Sequence, residues 1–299
     1  MACESSVLLS QGDRVVLVRE LYATMNRSLM DYIAEANERH AVIRRLLQHH
    51  LHIDEQAYIL NAQCIISSAL QAALVDAIRR LQRNEPIQYI LERAYFLDYP
   101  LKVTPDVLIP RPETESMVHF LEYFMVPHPE SILDIGTGSG CIAIALKKIF
   151  PHATVDALDV SQKALDIAQH NAQALSAPVN SMLIDIFYDP LPNCKWSLIV
   201  SNPPYIPWSE KPTMMANVVD YEPHEALFVN DHDPLIFYKR IMDIATLHLH
   251  SHGKICFEIH PRFSQAIASL LHEAKTFQDI SIHQDINDKD RWITAMLTN

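Results

Sequence analysis

The 299 residues carry a formal net charge of −12, with 49% apolar and 20% charged residues. That balance describes a soluble globular protein long enough for two domains, and it excludes the disordered and fibrous classes. It also leaves no overall positive field to hold phosphate backbones, which argues against nucleic acid as a partner.

Near the amino end, Val7-Leu8-Leu9 has no basic residue before it and is soon followed by Asp13 and Arg14. No export signal is expected there, and residues 1–20 read as a disordered extension. No run of about 18 apolar residues occurs, so no membrane span is expected and the protein is placed in the cytoplasm. Residues 21–85 read as an all-helical domain. Ile66, Leu70, Ala73, Leu74, Ala77, Ile78 and Leu81 recur at three- and four-residue spacing, Ile43, Leu46 and Leu47 belong to an earlier helix, and Asp54 is placed to cap one between them. No catalytic grouping occurs here, so the domain serves either substrate recognition or stability.

His49-His50-Leu51-His52 lacks partner carboxylates at ligand spacing and reads as solvated surface, so no metal is expected. Cys3, Cys64, Cys141, Cys194 and Cys256 are scattered and read as reduced thiols, neither a disulfide framework nor a zinc site.

Over residues 86–110 aromatic and β-branched residues (Tyr95, Phe96, Tyr99, Val103, Val107, Ile109) are broken by Pro100, Pro105 and Pro110, the texture of a short hairpin linker. Residues 111–299 alternate strands with helices. Strands are expected at Ser131–Ile135, Ala153–Leu158, Val179–Ile184, Trp196–Val200 and Lys254–Ile259, with helices at Cys141–Ile149, after Ser161 and from Asp233-Pro234. Two last strands, Ile280–His283 and Trp292–Leu297, form a hairpin that gives a mainly parallel α/β sheet an antiparallel edge.

Three of only five glycines stand at Gly136, Gly138 and Gly140, with Thr137 and Ser139 between them, where the first of these strands turns into its helix. Glycine permits tight turns and close approach to a ligand, and ligands of open α/β sheets sit beyond the carboxyl ends of the strands. Asp159 ends the next strand, where a carboxylate can take two ribose hydroxyls. The spacing differs from the dinucleotide fingerprint, and Asp134 ahead of the turn suits a cofactor bearing ammonium and sulfonium charge better than a pyrophosphate.

Ser201-Asn202-Pro203-Pro204-Tyr205 reaches the same sheet edge. The prolines lock φ and offer no N–H, so the Asn202 side-chain oxygen and the Pro203 carbonyl remain as acceptors for the two hydrogens of a planar NH₂, with the Tyr205 ring across its face. An amide or exocyclic amine is a poor nucleophile whose lone pair such acceptors can localise. The arrangement therefore points to methylation of such a nitrogen, unless the prolines form only a rigid turn.

These motifs, with Glu85-Pro86-Ile87-Gln88-Tyr89, Leu108–Glu115, Tyr221-Glu222-Pro223 and Phe257-Glu258-Ile259, resemble the bacterial release-factor glutamine N5-methyltransferases, the PrmC/HemK family, from about Arg39 onward. The resemblance implies a Rossmann-like class I methyltransferase domain using S-adenosyl-L-methionine and yielding S-adenosyl-L-homocysteine. It implies that Gly136 to Gly140 line the methionine part, Asp159 the ribose, and Asp185 and Ile186 the adenine. It further implies that Asn202 to Tyr205 hold the glutamine of a release-factor Gly-Gly-Gln loop, with Asn202 also beside the cofactor. Arg111, Glu113 and Glu115 are either substrate contacts or an ion-pair cluster at the domain junction. Glu92, Asn230, His260 and Asp288 stand where the family commonly has glycine. The alternatives are an amino-methyltransferase acting on adenine or guanine, and an adaptor for release factors or ribosomes without catalysis.

Overall fold

A computed structural model describes residues 13–298, in two compact units that meet between Leu91 and Glu92. Most of the stretch expected to be an extension lies outside the described residues. Its last part does not: Arg14–Leu17 forms strand β1 and Val18–Leu29 forms helix α1. Helices α2 (Ala36–Leu51) and α3 (Glu55–Ile59) follow, then β2 (Gln63–Ile66), α4 (Ser68–Leu81) and the short α5 (Ile87–Ile90). The first unit is thus helical apart from one antiparallel ribbon, β1 against β2, in which Val15 faces Ile65. Four-residue strands carry too little periodicity to stand out from the helical pattern beside them.

Caps set the helix starts: Asp54 accepts from the Ala57 N–H at 2.7 Å, and Ser67 from that of Leu70 at 3.1 Å. Leu29, Ile43, Leu46, Leu47, Leu74 and Leu81 form the core. Arg39 is buried among them, its guanidinium donating to Asn26 Oδ1 at 2.7 Å and to the carbonyls of Ile33 and Ala34.

The second unit opens with a hairpin, β3 (Ala94–Phe96) and β4 (Tyr99–Leu101). It is no free-standing spacer: Phe96 and Leu101 are buried with Met117, Val118 and Leu121 of helix α6 (Pro112–Phe124). Then come β5 (Ser131–Ile135), α7 (Cys141–Ile149), β6 (Thr154–Asp159), α8 (Gln162–Ala174), β7 (Asn180–Leu183) and β8 (Trp196–Ser201). A two-residue pair, β9 (Ile206–Pro207) with β10 (Phe228–Val229), brackets α9 (Ala216–Tyr221). The chain ends with α10 (Ile236–His248), β11 (Leu249–Glu258), α11 (Ser264–Ala274), β12 (Phe277–Gln284) and β13 (Asp290–Leu297). Helix α10 starts two residues after Pro234, because Asp233 to Leu235 turn first and the Ile236 N–H returns to the Asp233 carbonyl.

The seven-stranded sheet has the order β12-β13-β11-β8-β5-β6-β7. Only β13 runs against its neighbours, and it lies between β11 and β12, not at the rim itself. Alternation along each central strand sends side chains to opposite faces. Ile132, Leu198, Val200 and Cys256 join α6 and α7 on one face, whereas Leu133, Ile199, Ile255 and Phe257 join α10 and α11 on the other. With both faces covered, these strands read as continuous apolar runs.

Two of the positions where the resembled family has glycine, Glu92 (φ +48°) and Asp288 (φ +57°), adopt the left-handed backbone that glycine favours. His260, with φ −73°, does not. Among the described residues no helix is long and apolar enough to cross a membrane, and no cluster of potential metal ligands occurs.

Ile199 is wholly buried at the centre of the sheet, between β5 and β11. Ile199→Ala should lower unfolding free energy by about 2–5 kcal/mol, read from the urea midpoint at unchanged m-value.

Candidate active site

Strands β5, β6, β7 and β8 are parallel, so their carboxyl ends open on one edge. There a cleft of about 1050 Å³, counted out to its open mouth, collects Gly136, Gly138, Asp159, Asp185, Ile186, Asn202, Pro203 and Pro204.

The glycine turn is built by backbone conformation. Gly136, Gly138 and Gly140 have φ of +73°, +54° and +81°. A Cβ on Gly136 or Gly138 would meet nothing within 4 Å and would project into open space, whereas one on Gly140 would press on Ala168 and Ile144 at 3.1 Å. The first two glycines therefore keep the cleft clear, and the third lets α7 start close against α8. Thr137, Ser139 and Gly140 do not line the cleft. Thr137 donates its hydroxyl to Asp134 Oδ2 at 2.7 Å, and the Ser139 carbonyl accepts from Asn171 Nδ2 at 2.9 Å. Asn171 is buried and also pairs with both backbone groups of Lys102, tying the turn to the chain after β4.

Asp134 is fully buried. Oδ2 accepts from Thr137 and from the Ala143 N–H at 3.2 Å, while Oδ1 has no partner. Burial pushes its carboxyl up to about 7, with the Asp159 charge adding in the same direction and the two hydrogen bonds opposing.

Asp159 accepts from the Gly138 N–H and the Ser161 N–H, both at 2.9 Å, and burial raises its pKa. Each oxygen still has a lone pair, so two ligand hydroxyls can be taken as well. Asp185 turns the chain at the end of β7 by accepting from the Phe187 N–H at 2.9 Å, which aims Ile186 and Phe187 into the cleft. Phe187 meets Phe237 edge to face at 5.3 Å, and Phe237 and Ile241 bring one end of α10 into the same apolar wall.

Asn202 lines the cleft and donates from Nδ2 to Thr114 Oγ1 at 3.2 Å. Thr114 in turn donates to Glu258 Oε2 at 2.5 Å, and Tyr205 to Glu258 Oε1 at 3.1 Å. Glu258 is buried, which raises its pKa against the pull of the two hydroxyl donors. The Tyr205 ring is not in the cleft wall, as its hydroxyl is drawn inward to Glu258. The charged residues of the Leu108–Glu115 stretch all meet protein partners. Arg111 pairs with the buried Glu222 at 2.7 Å, Glu113 lies 3.6 Å from Arg291, and Glu115 accepts from the Leu97 N–H at 3.0 Å. Glu222 also accepts from the Ile109 N–H, so Tyr221-Glu222-Pro223 fastens the loop that brings Asp106, Val107 and Leu108 to the cleft.

Phe187, Phe237, Pro223 and Glu225 in the wall, and Thr114 and Glu258 behind it, were not legible as site residues in the sequence. They come from separate segments that carry no local sign of a shared cleft.

Strand order, glycine turn and acid-lined cleft together define a Rossmann-like class I methyltransferase. The Methyltransferase small domain family matches residues 115–220, and the PrmC N-terminal domain family matches residues 27–91. The release factor glutamine methyltransferase of Bacteroides thetaiotaomicron is 44% identical over 82% of this chain and 88% of its own. That of Flavobacterium psychrophilum is 42% identical over 72% and 76%. A methyltransferase from Pyrococcus furiosus shares the fold at 16% identity, with a TM-score of 0.51 over 78% of this chain and 99% of its own. The chain belongs to the release factor glutamine methyltransferase family.

A carboxyl held at about 7 in the fold, against 3.8 for a free one, binds its proton more tightly folded than unfolded. Between those values stability must fall as pH rises through deprotonation of Asp134. Asp134→Asn should therefore gain Tm relative to the wild-type protein as pH goes from about 5 to about 8, in ligand-free thermal melts. A difference independent of pH would show that the carboxylate bears no burial cost.

Proposed function

We propose that this protein moves the methyl group of S-adenosyl-L-methionine to the side-chain amide nitrogen of the glutamine in the Gly-Gly-Gln motif of peptide chain release factors. S-adenosyl-L-homocysteine is the second product. The observation that carries the reading is Asn202, which lines the cleft with its NH₂ engaged by Thr114 and its carbonyl oxygen left as an acceptor. The names and extent of the relatives support the substrate class. A release factor as partner implies work in the cytoplasm.

The residues fit the cofactor. Gly136 and Gly138 leave room for the methionine chain, and Asp159 suits the ribose hydroxyls. Asp185 and Ile186, with Phe187 and Phe237, offer an apolar slot with a polar rim for adenine. Thr137, Ser139 and Gly140 shape the turn. When bound, S-adenosylmethionine supplies an electrophilic methyl carbon on a sulfonium centre.

The glutamine amide nitrogen is a weak nucleophile because its lone pair is delocalised into the carbonyl. Asn202 Oδ1 and the Pro203 carbonyl accept its two hydrogens, which orients the nitrogen and returns electron density to it. Pro203 and Pro204 hold these acceptors rigidly and add no competing donor. Tyr205 also anchors this turn, its hydroxyl donating to Glu258. Attack needs the nitrogen about 3–3.5 Å from the methyl carbon, which is a matter of positioning. The surplus proton leaves for water after transfer, so no dedicated base is required.

The test is transfer of labelled methyl from S-adenosylmethionine to a release factor and to a copy whose Gly-Gly-Gln glutamine is changed to alanine. Label on the first alone is expected; label on neither, or on both, overturns the reading. Asn202→Ala should cut kcat about a hundredfold while cofactor affinity changes less than about threefold.

A further inference from the structure

We infer that Glu258 is a positioning residue for methyl transfer: through Thr114 it dictates which end of the Asn202 amide faces the cleft. The inference rests on the methyl-transfer reading and adds to it the question of what keeps Asn202 the right way round. The two ends of an asparagine amide have nearly the same shape, so packing alone does not choose between them. The choice falls to the hydrogen-bonding chemistry of the neighbour, and at Asn202 that neighbour is the Thr114 hydroxyl at 3.2 Å.

A hydroxyl has one proton and can turn it either way. Glu258 removes the freedom. Its carboxylate accepts on both oxygens, from Thr114 at 2.5 Å and from Tyr205 at 3.1 Å. The Thr114 proton is thereby committed inward, and its oxygen can only accept from Asn202. Nδ2 must then face Thr114, and Oδ1 must face the cleft. The carboxylate lies at the end of β11, where the Tyr238 hydroxyl holds its backbone carbonyl at 3.1 Å. Thr114 and Glu258 are both 2% exposed and absent from the cleft wall, so water has little access to replace either partner. A buried acid that served packing alone would be costly, since a neutral side chain of the same shape fills the space without desolvating a charge.

A neutral amide at position 258 loses this control. Its NH₂ can donate to Thr114, whose proton then turns to Asn202 and favours the flipped amide. The cleft would present a donor to a substrate NH₂ that also donates. The polarity of the chain, not its shape, is what Glu258 supplies.

The experiment compares the full-length wild type with Glu258→Gln, Thr114→Val and Thr114→Ser. It reads kcat and KM for a release factor, the Kd for S-adenosylmethionine, and the contact between the Asn202 side-chain NH₂ and the Thr114 methyl by nuclear Overhauser effect. Glu258→Gln and Thr114→Val are expected to lower kcat by about tenfold or more, with KM and Kd within about threefold. Thr114→Ser, which keeps the hydroxyl, should retain at least about half of the wild-type kcat. The amide–methyl contact should be present in the wild type and lost in Glu258→Gln. Wild-type kcat in Glu258→Gln, or equal impairment of Thr114→Ser and Thr114→Val, would overturn the inference. If Thr114→Val fails to bind cofactor, Glu258→Gln, which exchanges one oxygen for a nitrogen, decides alone. The NMR contact needs no turnover, so a wild type that labels no release factor defeats the functional reading while the orientation of Asn202 is still decided.

Discussion

The parallel register between β5 and β8 sets the glycine turn and the Asn-Pro-Pro turn side by side in the cleft. It puts Ile135 opposite Ser201, and the Ser201 hydroxyl closes on the Ile135 carbonyl at 2.7 Å. The glycine turn leaves one strand and the Asn-Pro-Pro turn leaves the other, so two segments distant in sequence emerge side by side. A slip of one residue would reverse the faces of Ile199 and its neighbours as well as part the two turns. The packing of the core and the composition of the site are thus enforced by the same hydrogen-bond ladder.

Around that edge the protein buries three carboxylates, each with a different set of donors. Glu258 receives two hydroxyls, Glu222 a guanidinium and a backbone N–H, and Asp134 a hydroxyl and a backbone N–H that leave one oxygen bare. Burial raises the pKa of all three. The first two are satisfied within the protein and act on the positions of other groups. Asp134 is the exception, with one oxygen left bare at the start of the glycine turn. Buried acids otherwise cost stability, so they persist where their donors must be held in one direction.

Glycine and proline act on this edge from opposite sides. Gly136 and Gly138 provide backbone that turns with positive φ and presents no side chain to the cleft. Pro203 and Pro204 provide backbone that cannot rotate about φ and cannot donate. In the proposed reaction the pliable turn would surround the bulky cofactor and the stiff one would hold the small amide.

Sequence alone determined much of this protein, because some signals are local. Strands buried on both faces read as apolar runs, helices as a repeat of three and four, and Asp54 and Ser161 as caps, whatever lies elsewhere in the chain. The glycine turn, Asp159 and Asn202 were legible for the same reason: their chemistry depends on the residue and on the strand end it follows. What escaped depends on contacts across the fold. The ribbon of β1 and β2 joins segments separated by α1 to α3, and four residues do not establish a period. The bond from the Tyr205 hydroxyl to Glu258, fifty-three residues away in the chain, has no local sign either. Thr114 and Glu258 lie in stretches singled out for their resemblance, but nothing local links either to Asn202. Only tertiary structure decides such partners, since a hydrogen bond is fixed by distance and direction in space, and separation along the chain predicts neither.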